Sequence, residues 1–91
     1  MKYVMTYMFK PHMGKDDTAR MMETFAAVGE APGRTQHLVR IDGQGGTVIG
    51  ETDDLEGVFR SVLSYGEWVQ FDISAALAVD DAVPQIMDYL A

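Results

Sequence analysis

Ninety-one residues, 47% of them hydrophobic and none of them cysteine, suffice for one domain with a core of its own, and exclude a disulfide, a thiolate nucleophile and a cysteine-held metal. Seven Lys and Arg stand against fourteen Asp and Glu, and the net charge of −7 sets up a field that repels DNA, RNA and anionic membranes. No apolar run approaches the roughly 18 residues of a membrane helix, and the N-terminus does not read as a signal peptide, so a cytoplasmic protein is expected.

The first predicted strand is Lys2 to Lys10, KYVMTYMFK. Tyr3, Met5, Tyr7 and Phe9 fall on one face; Val4, Thr6 and Met8 fall on the other. Two apolar faces need two covers. A chain this short has too few helices for both, and the simplest second cover is another copy of itself. Pro11 ends the strand. A helix is expected from about Lys15 to Val28, with Asp16 and Asp17 in its first turn and Gly29 as its stop. Glu30-Ala31-Pro32-Gly33 reads as a turn.

The second predicted strand is Arg34 to Ile41. Turning His37, Val39 and Ile41 toward the helices keeps Arg34 and Arg40 out of the core, on the open face with Gln36 and Leu38. Asp42 to Gly46 is a hairpin connection, followed by a strand over Thr47 to Glu51. A second helix starts at Thr52 or Asp53, with Asp53 and Glu56 as a capping pair. Leu55, Val58, Phe59, Val62 and Leu63 are its expected buried stripe, and Tyr65-Gly66 ends it. The fourth strand runs from Glu67 to about Val79. Val69, Phe71 and Ile73 point inward, while Trp68, Gln70, Asp72 and Ser74 point outward. A last helix is expected from Asp80 or Asp81 to Leu90, with Pro84 early in it and Val83, Ile86, Met87 and Leu90 on one side.

This order is the split βαβ, or ferredoxin-like, arrangement of an α+β domain with a C-terminal helix added. Right-handed crossovers put both helices on one face of an antiparallel sheet ordered 4-1-3-2, with strand 1 central.

His37 stands out chemically. Between sheet and helices it is a base or hydrogen-bonding group in an apolar setting; the ordinary role of such a residue is a core histidine satisfied by backbone or by a tyrosine hydroxyl. Tyr3 or Tyr7 is the candidate phenol beside it, and His37 with Tyr7 is the candidate catalytic pair. Tyr3, Met5, Met22, Phe59 and Trp68 are the candidate lining of a ligand pocket, with Trp68 at its mouth. Methionine suits a flat, polarisable ligand and equally suits a small irregular core. Glu51 reads as a solvated junction residue or an ion-pair partner of Arg34 or Arg40, and Asp72 as a partner of Arg40, within the chain or across a dimer. His12 and His37 lack metal-ligand spacing, and the Gly43 to Gly46 run lacks the Lys-Ser/Thr of a phosphate loop. No metal and no cofactor are expected.

Lys2-Tyr3, Thr6, Phe9-Lys10, Gly45-Gly46, the Glu51-Thr52-Asp53-Asp54 junction and Phe71-Asp72-Ile73 occur in an order that resembles a family of short bacterial proteins of unknown function. That family lies within the dimeric α+β barrel superfamily that includes antibiotic-biosynthesis monooxygenases. The resemblance implies a ferredoxin-like protomer and a homodimer whose sheets face each other. It also implies a pocket between sheet and helices, where that superfamily's enzymes place theirs. The leading functional expectation is therefore binding of a small aromatic or polyketide-like molecule in that gap. One alternative is a cofactor-free monooxygenase or cyclase; another is a structural dimer without a ligand.

Overall fold

The computed structural model describes residues 1–91. The chain runs β1 (Lys2–Phe9), α1 (Lys15–Val28), β2 (Arg34–Val39), β3 (Gly45–Glu51), α2 (Leu55–Tyr65), β4 (Val69–Ala76) and α3 (Val79–Leu90). The four strands form one antiparallel sheet in the order β2-β3-β1-β4, which read from the β4 edge is 4-1-3-2. No helix is long and apolar enough to cross a membrane.

Burial decides which face of β1 meets the helices. Tyr3 is fully buried and Met5 nearly so, and they form the core with Ala31, Val48 and Val58. Tyr7, Val62 and Phe71 pack against it. The opposite side of the sheet is mixed. Val4 lies between Ile49 and Ser74, Thr6 between Thr47 and Asp72, and Met8 between Gly45 and Gln70.

Several element ends differ from the predicted ones for local reasons. β2 stops at Val39 because Arg40 and Asp42 close the hairpin early: their side chains pair at 2.5 Å, and Gly43 N–H donates to the Arg40 carbonyl. Gly45 and Gly46 thereby become part of β3. Asp54, not Asp53, caps α2, accepting from Gly57 N–H at 2.9 Å. α3 starts at Val79, which puts Pro84 in its second turn, where the missing N–H forfeits a helical hydrogen bond.

Three side-chain placements also change. β2 shifts register between Arg34, opposite Gly50, and Gln36, opposite Ile49. This bulge at Thr35 turns Arg34 from the open face to the helix side. Trp68 precedes β4 and is buried rather than outward, with the Arg20 guanidinium 5.9 Å from its ring centre. Of the predicted α2 stripe only Val58 and Val62 turn inward, and Leu55, Phe59 and Leu63 are exposed. The ion pairs are local too: Glu51 meets Lys2 at 3.7 Å, Arg34 meets Glu30, and Arg40 meets Asp42, so within one chain neither Glu51 nor Asp72 pairs with an arginine.

α3 projects from the body. None of its residues is buried, only its first turn, at Asp81, borders Met1, Lys2 and the end of β4, and the molecule measures 57 × 27 × 17 Å.

Candidate functional site

The helices leave a cleft of about 630 Å³ over the Tyr7 end of the sheet. Met21, Met22 and Phe25 of α1 line one wall; Met5, Phe9 and Phe71 of the sheet line the other. That volume lies within the ordinary range for a small-molecule site.

Tyr7 and His37 stand on strands separated by β3, so one must reach across it. Tyr7 lies opposite Gly46. A Cβ at Gly46 would sit 2.5 Å from the Tyr7 hydroxyl; without one, the phenol lies across β3 and meets His37 Nε2 at 2.7 Å. The two rings stand edge to face, their centres 5.6 Å apart. Gly50 does the same for Tyr3, whose ring would lie 2.5 Å from a Cβ there.

The other imidazole nitrogen, Nδ1, is hydrogen-bonded to Glu30 Oε1, while Glu30 Oε2 pairs with Arg34 Nε. A carboxylate can only accept, so Nδ1 donates to Glu30. In the neutral imidazole Nε2 is then the acceptor, and the Tyr7 hydroxyl donates to it. The result is a continuous line, Arg34–Glu30–His37–Tyr7, running from the cleft margin into its apolar interior.

Glu30 is fixed through its backbone. Gly29, at φ +70°, ends α1 in a conformation that side chains other than hydrogen disfavour. The Tyr65 hydroxyl donates to the Gly29 carbonyl at 2.7 Å, and the Tyr3 hydroxyl donates to the Pro32 carbonyl at 2.8 Å. Two tyrosines thus hold the turn on both sides of Glu30. Burial, and after it the charge of Glu30, raises the Tyr3, Tyr7 and Tyr65 phenols above their ordinary range. Tyr7 therefore remains a neutral donor at physiological pH.

Of the residues expected at a site, His37, Tyr7, Met5 and Met22 line the cleft. Tyr3, Phe59 and Trp68 do not. Tyr3 lies fully buried beneath, with its hydroxyl committed to Pro32; Phe59 leaves the outer face of α2; Trp68 is covered by Arg20. Glu30, Arg34 and Tyr65 belong to the cleft and escape the sequence reading. A usable signal was the Gly46-x-Val48-x-Gly50 alternation. Glycines flanking an inward valine leave room for rings from the neighbouring strand, and a tyrosine lying across β3 points at β2 and the turn before it. No group of three His, Cys, Asp or Glu side chains is placed to hold a metal ion.

No curated protein matches the chain. The family described as a domain of unknown function, DUF3303, matches it over residues 1–89, and the chain belongs to that family.

Proposed function

We propose that this protein binds a small aromatic or polyketide-like molecule in the cleft, as a homodimer of the dimeric α+β barrel type. The observation that carries the reading is the contrast inside the cleft. Its walls are mostly apolar, half of that apolar lining being Met and Phe, and its charged and imidazole groups, Arg34, Glu30 and His37, stand in one hydrogen-bonded line ending on Tyr7. A flat ring system suits the walls, through apolar burial and sulfur–aromatic contact. A phenolic or enolic hydroxyl at its edge donates to the Tyr7 oxygen, which can accept while its own O–H donates to His37. The open sheet face, with Val4, Met8, Leu38 and Ile49, supports a second copy as its cover. Thermal shift with naphthol, anthrone and emodin tests the binding. At least one raises Tm in the native protein and loses most of that effect in His37→Ala; no shift from any of them at saturating solubility rejects the reading.

A second reading, a cofactor-free oxygenase, is favoured by Glu30 on Nδ1. A carboxylate there orients the ring and stabilises the imidazolium formed when Nε2 takes a proton. With anthrone and dioxygen, the methylene carbon loses two hydrogens and gains one oxygen, and the second oxygen atom leaves as water. His37, through Tyr7, takes the first proton. Oxygen uptake on mixing with anthrone, absent in Glu30→Gln and His37→Ala, distinguishes this from binding alone.

A further inference from the structure

We infer that α3 is an exchanged arm: in a pair of copies, each α3 lays its apolar stripe along the exposed α2 stripe of the other protomer. This rests on the two-copy assembly proposed above and adds the surfaces that meet. Val79, Val83, Ile86 and Leu90 recur at helical spacing on α3, and all are exposed. Leu55, Phe59 and Leu63 recur at the same spacing on α2 and are more than half exposed. Two apolar stripes that fail to meet within one chain are each other's simplest cover.

Surface area sets the scale. The chain exposes 6555 Å², whereas a compact monomer of its mass exposes about 5,300 Å². The excess of about 1,300 Å² per chain is what a protomer contributes to a stable homodimer. The linker is short: only Leu77 and Ala78 separate β4 from α3, which leaves little chain for folding back onto α2, and the molecule is 57 Å long. Charge agrees. α3 carries Asp80, Asp81 and Asp88 and no cation, while Arg60, beside Phe59 on α2, makes no ion pair within its own chain.

The chain has no cysteine, which makes cross-linking unambiguous. Phe59→Cys and Ile86→Cys are prepared separately, mixed, and treated with a short bismaleimide, with each single variant alone as the control. The inference expects a covalent pair of about twice 10.1 kDa in the mixture. In the double variant F59C/I86C it expects linked pairs in place of an internally linked monomer. An internal link at monomer mobility overturns it in favour of fold-back. Dimers by light scattering that yield no link between the two positions overturn the arm exchange while leaving the facing sheets intact. In the uncross-linked protein, Val83→Asp weakens self-association by about 30-fold or more, as loss of a central apolar anchor does; unchanged association contradicts the inference.

Discussion

The cleft side of the sheet and the C-terminal arm handle apolar residues in opposite ways. Around β1, rings are buried against glycines, and every tyrosine hydroxyl there has a partner: Tyr3 on Pro32, Tyr7 on His37, Tyr65 on Gly29. Along α3, Val79 to Leu90 is as amphipathic as any element of the chain, yet none of its residues is buried. The same residue types are structural in one region and unpartnered in the other. What differs is cross-strand register, which supplies neighbours to β1 automatically and supplies none to a helix beyond the last strand.

Substitutions that add bulk break this comparison most severely. Gly50→Val drives a side chain into the buried Tyr3 ring and is expected to lower stability by about 3 kcal/mol. For a domain of this size that corresponds to a Tm lower by more than about 10 °C. Val83→Phe on the arm, measured in dilute protein where copies are separated, leaves Tm nearly unchanged. A matching loss at both positions would show that α3 is packed within its own chain.

Removing one hydroxyl is the next largest change. Tyr3→Phe keeps the ring but strips the Pro32 carbonyl of its donor, at an expected cost of about 1–2 kcal/mol by chemical denaturation. Because that bond holds the turn bearing Glu30, the variant is also expected to weaken naphthol binding, although Tyr3 does not line the cleft. Tyr7→Phe is expected to cost less stability and more affinity.

Alkaline pH sharpens the same contrast. The Tyr3, Tyr7 and Tyr65 phenols titrate higher in the folded chain than in the unfolded one, where the ordinary value is 10.0. The folded state thus holds these protons more tightly. The stability this confers is complete below pH 10 and is lost as pH rises through the folded values. Denaturant midpoints should be flat approaching pH 10 and fall beyond it, with the fall reduced in Tyr3→Phe. The smallest effect is expected from Ile86→Ala in dilute protein, within about 0.5 kcal/mol of the native chain, as for an exposed position.

Much of the architecture was legible in the sequence because it rests on alternation. KYVMTYMFK specifies a strand with two apolar faces, and the βαββαβ order with right-handed crossovers leaves few sheet arrangements open. His37 and Tyr7 are both candidates from sequence, but alternation leaves open which face of β1 meets the helices, and only the burial of Tyr3 and Met5 puts Tyr7 on the His37 side. What escaped reading was non-periodic. The bulge at Thr35 reverses Arg34 by adding one residue that no pattern announces. Glu30 reaches His37 because two tyrosines hold its turn, a contact between residues far apart in sequence. Trp68, at the boundary of β4, followed its packing under Arg20 instead of the strand's alternation. The α2 stripe is wider in sequence than in the fold, because helical periodicity does not say how much of an apolar face the protomer itself covers.

His12 and His37 are the chain's two histidines, and they separate the loop from the cleft. In protein labelled with nitrogen-15 at histidine, naphthol is titrated in while both imidazoles are followed by NMR. The account predicts that the His37 nitrogens shift with saturation while those of His12 stay fixed, and that free His37 shows its proton on Nδ1. Unmoved His37 resonances at saturating naphthol, or a free His37 protonated on Nε2 alone, would contradict it.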